Sequence, residues 1–186
     1  MKSQLKDDIV ANKKISAYKL AQAREIILNL QKELPQYIKK GYGPFLAAIY
    51  DDKGKLLVKA ANSVLLDKCS HRHAEMNVIK MAEKALNTHD LSKYNLRLYV
   101  TAEPCMMCLG AILWSGIKEV YFGVSSQMVQ DITGFDEGFK PNWSDEFKQR
   151  GIAVCGYIEP ESGAKVLRSY VKGRRPIYKP TRNPSN

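Results

Sequence analysis

The groups in this sequence best suited to chemistry are His73, Glu75, Cys105 and Cys108. One imidazole and two thiols offer three soft or borderline ligands to a zinc ion. A zinc site with three protein ligands keeps its fourth position open for water. Cys105 and Cys108 are three residues apart, which on a helix sets them roughly 60° apart on one face, so both sulfurs reach one ion. Pro104 fits a first helical turn, where its missing N–H costs nothing, and the positive end of that helix favours thiolates. The helical pattern that begins at His73 brings a second helix start to the same point. Zinc makes a water molecule nucleophilic near neutral pH. Glu75, two residues past His73, is placed to move protons for that water without ligating the ion. The chemistry is therefore hydrolysis. A closed alternative stays open: Cys69 or His71 as a fourth protein ligand would make the zinc a structural pin and the chain a zinc-stabilised interaction module. Cys155 reads as a plain buried thiol.

These groups need a scaffold, and 186 residues suffice for one domain with a sizeable core. Apolar spacing over residues 15–34 predicts an amphipathic helix that stops at Pro35. Residues 45–50 and 56–61, joined by Asp51-Asp52-Lys53-Gly54, predict two strands and a tight turn. Further along, residues 74–86 read as a helix, 96–101 as a strand, 104–114 as a buried helix and 120–124 as a strand. Residues 125–150 form a long polar, Gly-bearing and aromatic stretch, a candidate functional loop or cover. Residues 152–158 predict a last strand, 162–171 a last helix, and 176–186, with three prolines, an extended tail. Strands alternating with helices argue for an α/β domain. The expected organisation is a helical extension over 1–40 packed on a domain over 41–175, then the tail over 176–186.

Apolar residues at 45% and charged residues at 26% exclude a disordered chain. The formal charge of +10 draws the protein toward polyanions. The lysines are scattered along the chain, however, and a solvated basic surface is the simpler reading. No apolar run approaches the roughly 20 residues that span a bilayer, and the polar start MKSQLKDD lacks the apolar core of an export signal. A cytoplasmic protein with reduced cysteines and no membrane partner is expected.

His73-Ala74-Glu75 followed by Pro104-Cys105-Met106-Met107-Cys108 matches the His-x-Glu and Pro-Cys-x-x-Cys pattern of zinc nucleobase deaminases. With residues 101–111 around it, the chain resembles the cytidine/deoxycytidylate deaminase superfamily. It is most similar to the purine-acting branch, with guanine deaminases first and tRNA adenosine deaminases second. The resemblance runs from about Gly43 to Tyr178. Gly43-Pro44-Phe45 and Gly134-Phe135-Asp136 look like segments of the guanine deaminase group, whereas Asn77 and residues 115–120 look more like deoxycytidylate deaminases.

The resemblance implies a three-layer α/β/α sandwich with a mixed five-stranded sheet, a zinc cofactor, and hydrolysis of an amino group on a purine, guanine foremost. The alternatives are an adenosine in tRNA or a cytosine nucleotide. It also implies a homodimer in which a C-terminal segment ending near Tyr178 crosses to cover the partner's site. Carried over residue by residue, Asn62, Asp136, Ala74, Phe45, Trp143 and Tyr178 are the expected substrate contacts. Phe139 is a second candidate cover for the purine face, and Glu159 and Glu161 are weaker candidates for an acidic group.

Overall fold

The computed structural model describes residues 10–138 and 140–179. Phe139 and the last part of the expected tail lie outside the described residues. The chain opens with a two-residue strand, β1 (Val10–Ala11), and the long helix α1 (Ala17–Lys39), whose N-cap Ser16 accepts from Lys19 N–H. The helix does not stop at Pro35. It runs on to Lys39, because Leu34, Tyr37 and Ile38 continue the packed face. That packing offsets the one backbone hydrogen bond that a proline removes.

The expected hairpin is β2 (Leu46–Tyr50) and β3 (Leu56–Ala61). Its turn is held by the Asp51 carboxylate, which accepts from Lys53 and Lys55 N–H. A short helix, α2 (Val64–Asp67), precedes α3 (Ala74–Leu86). Then come β4 (Arg97–Ala102), α4 (Met106–Ser115) and β5 (Glu119–Val124). The stretch expected to be one long loop holds two helices, α5 (Ser126–Thr133) and α6 (Trp143–Gln149). Ser125 caps α5 through Met128 N–H, and Gly134 ends it at φ +77°, a left-handed conformation that favours glycine. Of the described residues in this stretch, 134–138 and 140–142 remain as loop between the two helices. The last elements are β6 (Ala153–Gly156) and α7 (Pro160–Lys172).

The sheet order is β1-β6-β5-β4-β2-β3. The strands β4, β5 and β6 run parallel, β2 is antiparallel to β4 and β3, and β1 is antiparallel to β6. The expected mixed five-stranded sheet is present, with β1 as a short added edge. Asn12 fastens that edge, donating to Ser144 and Ile152 carbonyls and accepting from Val154 N–H.

Alternation along the strands sorts the core into two layers. Leu46, Ala48, Tyr99, Tyr121 and Cys155 pack against Ala23, Ile26, Ile27 and Leu30 of α1. Ala47, Ile49, Leu98, Val100, Val120, Phe122 and Val154 face the other way, onto Val78 and Ala82 of α3 and Leu109 and Ile112 of α4. Each large side chain so buried contributes about 1.5–3 kcal/mol. The helix α1 thus supplies one outer layer of the sandwich. Among the described residues, no helix is long and apolar enough to cross a membrane.

Candidate metal centre and substrate pocket

The chemistry-bearing residues sit where two helices start. His73 is the N-cap of α3 and Cys105 the N-cap of α4. Pro104 therefore lies one residue outside the helix rather than in its first turn. Cys105 follows the carboxyl end of β4, the edge at which α/β sheets hold their ligands. The free N–H groups of both helix starts surround the site with positive potential, which favours thiolates and an anionic nucleophile.

Three atoms form a compact triangle. Cys105 Sγ lies 3.5 Å from His73 Nδ1 and 3.6 Å from Cys108 Sγ, and Cys108 Sγ lies 3.7 Å from His73 Nδ1. These sides suit three corners of a tetrahedron whose centre is about 2.1 Å from nitrogen and about 2.3 Å from sulfur, the geometry of zinc. All four cysteines are free thiols. Among the described residues His73, Cys105 and Cys108 are the only metal-ready cluster. Cys69 does not join them: its sulfur lies 3.3 Å from Nδ1 of His71, and that pair is exposed. The donor set has three protein groups, and the closed four-ligand alternative is not built.

The protonation preferences follow from burial and proximity. Cys105 is pulled down to about 4, first by the hydrogen bond from the Cys108 thiol and then by His73, against the opposing effect of burial. Cys108 is pushed up, because it is the donor of that pair and is buried. Burial draws His73 down, but its contact with Cys105 and the charges of Cys105, Glu75 and Glu137 leave it above its ordinary value. Glu75, the second residue of α3, is only 6% exposed, and burial followed by the charge of Cys105 lifts it to about 7.

A cavity of about 600 Å³ opens in front of the triangle, walled by Phe45, Val64, His73, Cys105, Phe135 and Tyr178. That volume suits a small ligand. Phe45 and Phe135 meet edge to face at 5.5 Å, and Phe135 lies 4.9 Å from Tyr178. Behind this mouth, Asn62, His73, Glu75, Cys105 and Glu137 line a recess of about 10 Å³, on the order of a single water. Asn62 is 1% exposed. Its carbonyl accepts from Gly43 N–H and its amide oxygen from Val64 N–H. A Cβ on Gly43 would stand 2.8 Å from that oxygen, so the glycine makes room for Asn62.

The expected contacts divide. The structure brings Asn62, Phe45 and Tyr178 to the pocket, and Ala74 lies fully buried in the first turn of α3 between His73 and Glu75. Asp136 stays at the exposed rim, its carboxylate accepting from Gly138 N–H. Trp143 is not at the pocket. Its ring packs on Phe122 and Phe147 and its indole donates to Glu103 at 3.1 Å, because α6 turns it toward the core. Glu159 and Glu161 lie elsewhere, near Arg24 and Arg168.

Phe135 and Glu137 line the pocket but carried no role in the sequence reading. Burial, with the charges of Cys105 and Glu75, pushes Glu137 up to about 8. Phe135, Asp136 and Glu137 all line the cavity, but only Glu137 also reaches the inner recess, and no signal in the sequence marks that choice.

Residues 21–124 match the cytidine and deoxycytidylate deaminase zinc-binding region, a span that contains all three ligand candidates and Glu75. A tRNA-specific adenosine deaminase from Bacillus subtilis (strain 168) is 36% identical over 71% of this chain and 78% of its own length. A solved guanine deaminase from Nitrosomonas europaea is 32% identical, covering 84% of this chain and 93% of that one, with a TM-score of 0.76. A second solved structure, in complex with 2,6-diaminopurine, is 34% identical over 90% of this chain and 89% of that one, with a TM-score of 0.77. Zinc is the cofactor these observations share, and the chain is a member of the cytidine and deoxycytidylate deaminase family.

Proposed function

We propose that the protein hydrolyses the amino group of a purine base, guanine foremost, to give xanthine and ammonia. The observation that carries this reading is the buried Glu75 carboxyl, which shares a recess with His73 and Cys105 behind an aromatic-walled cavity that those two ligand candidates also line. Zinc held by those three residues supplies Lewis-acid chemistry that makes water nucleophilic at neutral pH. Glu75 takes one proton as the water oxygen adds to C2 and delivers it to the adjacent ring nitrogen; it then takes the second proton from the new C2 hydroxyl and passes it to the departing amine, which leaves as ammonia while the C2 carbonyl forms. Water and guanine are consumed, and xanthine and ammonia form. A carboxyl near pKa 7 suits a group that must both accept and donate.

The remaining polar groups orient the ring. Asn62 offers its amide N–H to a ring acceptor, and Glu137 faces the N–H edge of the base. Phe45, Phe135 and Tyr178 hold its faces. The solved guanine deaminase and the 2,6-diaminopurine complex support a purine.

A second reading, an adenosine in tRNA, is favoured by the Bacillus relative and the charge of +10. Ammonia release by the zinc-loaded protein on guanine, guanosine, adenine, deoxycytidylate and unmodified tRNA tests both. Turnover of guanine alone supports the first reading. Turnover only of folded RNA, falling steeply with salt, supports the second.

The partner of the whole molecule is a second copy. The helix α4 carries no charged residue, yet Trp114 is 86% exposed, with Met106 and Met107 also exposed on its surface. A helix apolar all round belongs in an interior. Gly110, with open space about it, lies one turn from Trp114. A ring seated on the partner's glycine across a two-fold axis makes a self-complementary pair.

A further inference from the structure

Glu103 belongs to the same motif as the cysteines, but it neither ligates nor faces the mouth of the pocket. It is the centre of a buried charge network. Lys140 Nζ lies 2.9 Å from Glu103 Oε1, and the two side chains are only 6% and 13% exposed. The same ammonium donates to the Pro104 carbonyl at 3.0 Å and to the Ser126 hydroxyl. All three of its N–H groups thus have acceptors. Glu103 also accepts from Ser126 N–H at 2.9 Å and from the Trp143 indole at 3.1 Å. Four segments meet here: the residues just before Cys105, the start of α5, the loop over 134–142 and the start of α6.

We propose that Lys140 is a positioning residue, which clamps the 134–142 loop onto Glu103 and thereby holds Glu137 over the reacting base. The loop is fixed at one end by Phe135 against Phe45 and Tyr178 and at the other by Lys140, with Glu137 between them. A buried ion pair contributes little net stability compared with apolar groups of the same shape, so its effect is felt in geometry. A displacement of about 1 Å at a reacting centre costs up to about a hundredfold in rate.

The kinetic part of this inference rests on the proposed role of Glu137, and its test separates the two. The zinc-loaded full chain is compared with Lys140→Met, and with Lys140→Met/Glu103→Gln, which leaves no unpaired buried charge. Both variants keep bound zinc, and amide exchange over 134–142 quickens. On guanine, kcat falls about tenfold or more. In a Glu137→Gln background, the same Lys140→Met change costs less than about twofold, because the carboxyl it positions is gone. Unchanged exchange over 134–142 in both variants overturns the clamp, whether or not guanine is the substrate. Faster exchange with equal losses in kcat in the two backgrounds overturns the link to Glu137.

Discussion

The side chain of Asn62 donates to the hydroxyl of Tyr178 at 2.6 Å, so the chain's own tail occupies the donor that the pocket offers to a base. Burial raises the Tyr178 hydroxyl above its ordinary pKa, and it stays neutral at working pH. A substrate must displace this contact. Tyr178→Phe keeps the aromatic wall and frees Asn62. It is expected to lower KM for guanine about two- to tenfold, the worth of one net hydrogen bond, with kcat unchanged. Steady-state kinetics check it. A raised KM would show that the hydroxyl binds the base itself.

Glu137 and Asp136 are adjacent and chemically alike, but only Glu137 lies in the inner recess. Glu137→Gln is expected to lower kcat/KM on guanine by roughly tenfold to a hundredfold, through loss of the carboxyl's hydrogen bond to the base and the unpaired group it leaves. Asp136→Asn stays within about twofold. Equal losses from the two substitutions would place the rim carboxylate in the chemistry.

That pair shows where sequence reasoning reached its limit. His73, Glu75, Cys105 and Cys108 were legible because metal ligation constrains residue type and spacing together. The hairpin was legible because Asp51 and Gly54 punctuate two apolar runs. The choice of Asp136 over Glu137 hangs on which way a loop faces, and nothing in composition sets that. Trp143 looked like a cover for a ring because it lies in an aromatic stretch, and its true neighbours Phe122 and Phe147 are brought to it only by tertiary packing. The helix α5 hid among polar residues, since just Val129 and Thr133 of it are buried. Pro35 announced a helix stop that packing overrode.

The exposed face of α4 leads to an association test. Trp114→Glu is expected to weaken self-association by about thirtyfold or more, the loss of the proposed tryptophan anchor, worth some 2 kcal/mol. Sedimentation velocity over a concentration series reads it directly. An unchanged dimer would move the interface off α4.

Glu75 also has a pH signature in the metal-free protein. Its folded-state pKa of about 7 lies above the unfolded value of 4.5. The protonated carboxyl is therefore favoured by the fold, and that stabilisation is fully present below pH 4.5 and lost as pH rises through about 7. Relative to wild type, metal-free Glu75→Gln is expected to gain about 2 kcal/mol between pH 5 and pH 8. Urea melts at the two pH values check it. A difference independent of pH would contradict the assigned burial.

In the proposed reaction Glu75 moves protons beside a zinc held by His73, Cys105 and Cys108. The most direct test of that role is Glu75→Gln in the zinc-loaded protein, with metal content and ammonia release from guanine measured on the same sample. The expected result is one zinc per chain and a kcat lower by about a hundredfold to ten-thousandfold, the usual worth of a general acid–base. Full zinc with full turnover would contradict it.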